Sequence, residues 1–108
     1  MNVTDINQAK LSIGDLVHHK LFDYRGVVVD VDPQFQSNDE WYELVAKSRP
    51  PKNKPWYHVL VDANEHTTYV AEQNLEPDNC DAPIKHYLLE HFFESYKHGH
   101  YILKHKSN

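Results

Sequence analysis

Tyr24-Arg25-Gly26-Val27-Val28-Val29-Asp30-Val31-Asp32-Pro33 is the stretch on which the fold turns. Val27, Val29 and Val31 fall on one side of an extended chain and Val28, Asp30 and Asp32 on the other, a period of two that predicts a half-buried strand. Asp32-Pro33 ends it, because proline lacks a backbone donor and restricts the residue before it. Upstream, Leu16-Val17-His18-His19 is a shorter candidate strand, and Phe22 to Gly26 turns the chain between the two. Downstream, Trp56 to Asp62 and His66 to Ala71 are rich in aromatic and β-branched residues. They flank the polar turn Asp62-Ala63-Asn64-Glu65, which predicts an antiparallel hairpin. The fold class expected from these runs is mainly β.

Two segments carry helical spacing. Ser37-Asn38-Asp39-Glu40 has the Ser-x-x-Glu form of a capping box, and Trp41, Leu44 and Val45 follow at helical intervals up to Lys47 or Ser48. After the basic, proline-rich break Arg49 to Pro55, expected on the surface, no further helix signal occurs until Pro83. Ile84, Tyr87, Leu88, His91 and Phe92, with Leu89, Phe93 and Tyr96 alongside, then form a broad apolar face. The spacing predicts a C-terminal helix of roughly four turns, stopped at Gly99. Such a face must be covered by the rest of the chain or by a second copy, so a homo-oligomer is among the expected partners.

A chain of 108 residues, 40% of them hydrophobic, has room for one core. No apolar run exceeds three residues, so neither a membrane span nor a signal h-region is expected. The single cysteine, Cys80, cannot close an intrachain disulfide, and together these features predict a cytoplasmic protein. Residues 1–82 carry 7 Lys/Arg against 14 Asp/Glu, whereas residues 83–108 carry 4 against 2. The net charge of −5 argues against a general nucleic-acid glove, since phosphate binding rests on clustered Lys and Arg. Five of the nine histidines (His86, His91, His98, His100 and His105) lie in the basic C-terminal quarter, as ordinary surface residues or as a pH-sensitive tail.

Catalytic chemistry finds little footing. There is no nucleophile, base and orienting group in a motif, and Cys80 lies in a polar stretch between proline-marked breaks. The histidines lack His-Glu-x-x-His spacing and the three glycines form no phosphate cradle, so no catalytic residue, cofactor or metal is expected. Binding chemistry is better served. Trp56-Tyr57 beside Lys52 and Lys54 can stack a base or a peptide next to positive charge, although alternation requires at least one ring to be core. Lys20, Tyr24 and Arg25 form a second basic-aromatic group, close to the first only if the two hairpins pair.

Four blocks occur in order: Ile13-Gly14-Asp15-Leu16-Val17-His18-His19-Lys20, Tyr24 to Pro33, Pro55-Trp56-Tyr57-His58-Val59-Leu60 and Tyr69-Val70-Ala71-Glu72-Gln73-Asn74-Leu75. Together they resemble the HspQ family, also called YccV-like or the hemimethylated-DNA-binding domain. Pro83, Lys85, His86, Phe93 and Gly99-His100-Tyr101 resemble the tail of its longer bacterial members. The resemblance implies a small SH3-like, partly open β-barrel over residues 11–76. A flexible lead-in (1–10) precedes it, and a C-terminal helix with a basic tail (77–108) packs on the same domain. It further implies a cytoplasmic heat-shock protein without catalytic residues that promotes degradation of selected substrates, such as the replication initiator DnaA, by a Lon-type ATP-dependent protease. The alternative it implies is binding of hemimethylated DNA. Candidate contact residues, polar or amphipathic within the matching blocks, are Lys20, Tyr24, Arg25, Trp56, Tyr57, His58, Glu72 and Asn74.

Overall fold

The computed structural model describes residues 9–45 and 49–104. The start of the lead-in, the expected helix end at 46–48, and His105 lie outside the described residues. In chain order the elements are β1 (Leu16–His19), β2 (Arg25–Asp32), α1 (Asp39–Val45), β3 (Trp56–Val61) and β4 (Thr67–Ala71). A 3₁₀ turn (Glu72–Asn74), β5 (Leu75–Pro77), α2 (Leu89–Phe92), β6 (Phe93–Lys97) and β7 (His100–Leu103) follow. Five antiparallel strands form one sheet in the order β4-β3-β2-β1-β5, and β6 and β7 pair as a separate hairpin. The 3₁₀ turn joins β4 to β5 without pairing them, which leaves the SH3-like barrel open between its two edge strands.

Both faces of this sheet are buried. Val17, Val28, Tyr57, Val59, Val70 and Leu75 fill the inside with Leu11, while Leu16, Val27 and Leu60 on the outside are covered by Ile84, Phe93 and Tyr101. Two-sided burial is why Val27 and Val28 are equally inaccessible and why β3 is almost continuously apolar. Strict alternation fails at one point. Val28 opposes Val59 and Asp30 opposes His58, so Val29 is an extra residue and β2 bulges there. Val31 consequently packs on the inner cluster with Val28, while Val29 stays with Val27 on the outer one.

The long C-terminal helix is replaced by something shorter. One helical turn, Leu89–Phe92, leads directly into β6, and a tight turn at His98-Gly99 returns the chain as β7. His98 (φ 51°) and Gly99 (φ 77°) are both left-handed, the signature of a two-residue hairpin turn, so Gly99 ends a strand and not a helix. Apolar residues at 84, 88, 92 and 93 fit a helix, but Phe93, Tyr96 and Tyr101 instead pack as a hairpin laid across Leu16 and Leu60. Tyr101 N–H donates to the Gly14 carbonyl at 2.9 Å, which fastens β7 to the approach to β1.

The β2–β3 connection holds α1. Asn38 is its cap: the Asn38 Oδ1 accepts from the Trp41 N–H at 2.7 Å, one residue beyond the expected Ser37. Tyr42, on the buried side of α1, donates its hydroxyl to the Pro50 carbonyl at 2.7 Å, and Trp56 Nε1 donates to the Pro51 carbonyl at 3.1 Å. The proline-rich break is therefore exposed only in part, with Pro50 and Pro55 fully buried beneath it.

Candidate functional site: an aromatic cleft at the open edge

The barrel's open side forms a cleft of about 530 Å³. One wall is the β1–β2 turn with His19, Leu21, Phe22 and Tyr24, the other carries Trp41, Pro50, Trp56 and His58, and all five residues of β4 lie between. His19 builds the first wall. Its ring is only 4% exposed, and its Nδ1 accepts from the backbone N–H groups of Leu21 (3.1 Å) and Phe22 (3.0 Å). Burial first, and the neighbouring His18 second, lower its pKa, so the neutral form that can accept both bonds is favoured. The Phe22 ring stacks on His19 at 4.6 Å while remaining largely exposed.

The second wall rests on a hydrogen-bonded group around Asp32. Tyr69 donates its hydroxyl to Asp32 Oδ2 at 2.6 Å, and His58 Nε2 lies 3.1 Å from the same oxygen with its ring 4.5 Å from that of Tyr69. Burial and then Asp32 push the Tyr69 hydroxyl well above its ordinary pKa. Asp30, Asp32 and His58 each offer a ligand atom within 4.8 Å of the others, an arrangement able to hold a cation. Asp32 is already the acceptor for Tyr69, so the same geometry serves as an internal hydrogen-bond network.

A second depression, of about 540 Å³, adjoins the cleft at Ala71. Lys10, Lys20 and Lys54 line it together with Glu72 and Glu76, so three cations from distant parts of the sequence meet two carboxylates.

The candidate contact residues separate into three groups. Tyr24, Trp56, His58 and Asn74 line the aromatic cleft, and Lys20 and Glu72 line the lysine depression. Tyr24 is tied to β4 by its hydroxyl, 2.8 Å from Thr68 Oγ1, and burial raises its pKa. Arg25 and Tyr57 belong to neither surface. Arg25 Nε donates to Asp78 Oδ2 at 2.6 Å and its Nη2 to the Ala82 carbonyl at 2.5 Å, with Asp62 at 3.6 Å, so its charge locks the β5 exit to the barrel. Tyr57, fully buried, donates to Glu72 at 2.5 Å and accepts from the Leu11 N–H at 3.2 Å. Trp56 is 1% exposed, so neither ring of the Trp56-Tyr57 pair is the exposed anchor that one-sided burial would leave. Within the cleft, exposed apolar surface comes instead from Leu21 and Phe22, two residues placed by the turn and unmarked by any periodicity.

A half-open barrel with a cleft along the unpaired edge of β4 defines a small SH3-like module that offers a rim, and not an enclosed cavity, to its surroundings. The chain belongs to the YccV-like family, described as hemimethylated DNA-binding protein YccV like, whose sequence model matches residues 9–100. That span takes in the barrel, the cleft and the C-terminal hairpin as far as His100. Among the described residues no helix is long and apolar enough to cross a membrane.

Proposed function

We propose that this protein is a non-enzymatic, cytoplasmic heat-shock factor that promotes degradation of selected substrates, the replication initiator DnaA among them, by a Lon-type ATP-dependent protease. The observation that carries the reading is the character of the cleft. Among the described residues no Asp, Glu, Lys or Arg lines it, whereas two exposed apolar side chains and several aromatic rings do. Such a surface suits apolar segments of proteins that have lost their own fold, and suits phosphate poorly. An accessory of this kind raises the local concentration of a substrate near the protease or shifts the protease toward its competent state, and neither route needs a catalytic side chain. The test is degradation of several unstable substrates by the purified protease with increasing amounts of the protein. Rates that rise along a binding isotherm for some substrates and not others support it; equal rates with and without the protein refute it.

Binding of hemimethylated DNA is the second reading, favoured by the description of the family and by the meeting of Lys10, Lys20 and Lys54. Preference for a hemimethylated over a fully methylated duplex, lost on replacing those lysines by alanine, would place DNA first.

A further inference from the structure

We infer that the free edge of β4 is a docking site for an extended, uncharged apolar segment of another protein, which joins the sheet as a sixth strand. The inference rests on the adaptor reading for its biological use and goes beyond it by naming what the cleft takes and how.

The backbone supplies the first argument. Val61 N–H donates to the His66 carbonyl and Glu72 N–H to the Pro55 carbonyl, which fixes the phase of the β3–β4 ladder. In that phase Thr68 and Val70 turn their N–H and C=O groups toward β3, and Thr67 and Tyr69 turn theirs outward. Among the described residues no backbone hydrogen bond from Thr67 or Tyr69 to another element is found. A surface lined by every residue of a strand runs along its edge and not over one of its faces, and the cleft does so along β4.

The second argument is protection. The opposite edge strand, β5, is three residues long and ends at Pro77, which has no donor. β4, Thr-Thr-Tyr-Val-Ala, has no proline, no charge and no bulge against β3. Soluble proteins blunt such edges when they are not used. The edge here is instead walled by Leu21 and Phe22, 59% and 73% exposed, and by Trp41 across the cleft.

These features select one occupant. A strand beside β4 runs roughly 17 Å over five residues and turns alternate side chains to opposite faces. One set meets Leu21 and Phe22 and the other meets Trp41, while its amides reach the outward groups of Thr67 and Tyr69. Among the described residues no Asp, Glu, Lys or Arg lines the cleft, so a segment with charges facing either wall would be desolvated without a partner.

The experiment uses the full chain and an eight-residue peptide of Val and Ile alternating with Ser and Thr, with two N-methylated versions. One is methylated at the amides that face β4 and the other at the alternate amides. Binding of the parent peptide, at least about tenfold weaker with the first methylation set and unchanged with the second, is the expected result. In amide hydrogen exchange, Thr67 and Tyr69 should gain protection on binding while Thr68 and Val70, already paired, change little. Phe22→Ser and Leu21→Ser should weaken binding without moving the thermal melt. Equal affinity for both methylated peptides, no binding at all, or occupation of the edge by a second copy of this chain would each overturn the inference. Binding without stimulation of the protease keeps the edge and removes the adaptor reading; stimulation that survives Phe22→Ser with Thr67 and Tyr69 unprotected does the reverse.

Discussion

Replacing Phe93 by alanine tests the architecture at the point where the C-terminal segment departs from helix. The ring is 5% exposed, lies 5.2 Å from that of Tyr101, and belongs to the cluster with Leu16, Val27, Leu60 and Ile84. Phe→Ala at such a site costs about 3 to 5 kcal/mol, transfer and cavity together. For a chain of this size each kcal/mol moves the melting temperature by about 4 to 8 °C, so a fall of at least about 12 °C is expected. Tyr87→Ala is the control: 71% exposed and a few residues away, it should shift stability by no more than about 0.5 kcal/mol. Thermal and urea melts of both variants read the difference, and truncation after Pro83 should cost at least as much as Phe93→Ala or change the mass in solution. A Phe93→Ala melt indistinguishable from that of Tyr87→Ala would mean that the hairpin does not cover the outer face of the sheet.

Adjacent histidines give opposite pH dependences. His18 has its pKa raised by hydrogen bonds to Asp23 (2.6 Å) and Glu76 (2.7 Å), so its contribution is full below the unfolded value of 6.5 and is lost as pH rises through the folded value. The stability gap between wild type and His18→Gln should shrink above that pH in urea melts, and a gap that widens with alkali contradicts the assignment. His19, whose pKa is lowered, contributes above 6.5 and loses that contribution as pH falls through its folded value. Acidification should therefore broaden the Leu21 and Phe22 amide signals first, and signals that stay sharp until global unfolding would count against it. Arg25→Met leaves Asp78, whose side chain is 10% exposed, without its cation, and a loss of about 3 kcal/mol is expected. Adding Asp78→Asn should recover part of that loss, and additive losses would show the pair to be uncoupled. For DNA, three lysines in one depression limit the slope of log affinity against log salt to no steeper than about −3. A steeper slope would place phosphate contacts outside that depression.

The strand Arg25–Asp32 and the β3–β4 hairpin were legible because two-residue periods and a polar turn are local signals, and Trp56–Val61 and Thr67–Ala71 fall where they indicate. The Val29 bulge was not legible, since it is set by pairing with β3, which no window of β2 contains. Residues 84–99 misled for a physical reason: Leu88, Phe92 and Phe93 satisfy a helical face, while the β-hairpin signal rests on the single dipeptide His98-Gly99. Of the candidate contacts, Tyr24, Trp56, His58 and Asn74 do converge, because pairing of β2 with β3 and the return through the 3₁₀ turn bring their blocks together. Arg25 looked like a surface cation because its partners, Asp62 and Asp78, lie 37 and 53 residues away in sequence. Leu21, Phe22 and Trp41 escaped because exposure of an apolar side chain is decided by what fails to cover it, and that is a property of the whole fold.

With both faces of the sheet occupied, its strands can meet a partner at the rim of the barrel. The inner face is filled by the core around Tyr57, and the outer face lies under the hairpin and, at the Trp56 end, under α1 and the loop before it. That rim runs from the free edge of β4 across the 3₁₀ turn to β5, and it changes character at Ala71, where the aromatic cleft meets the lysine depression. Lys20 and Leu21, neighbours in one turn, face these two surfaces separately. The turn that His19 holds therefore sets both at once, and a change at His19 should disturb peptide and phosphate recognition together. Phe22→Ser and Lys20→Ala, by contrast, each remove one kind of contact and leave the other standing. That separability follows from the geometry of a single turn and makes the two proposed readings distinguishable on one protein.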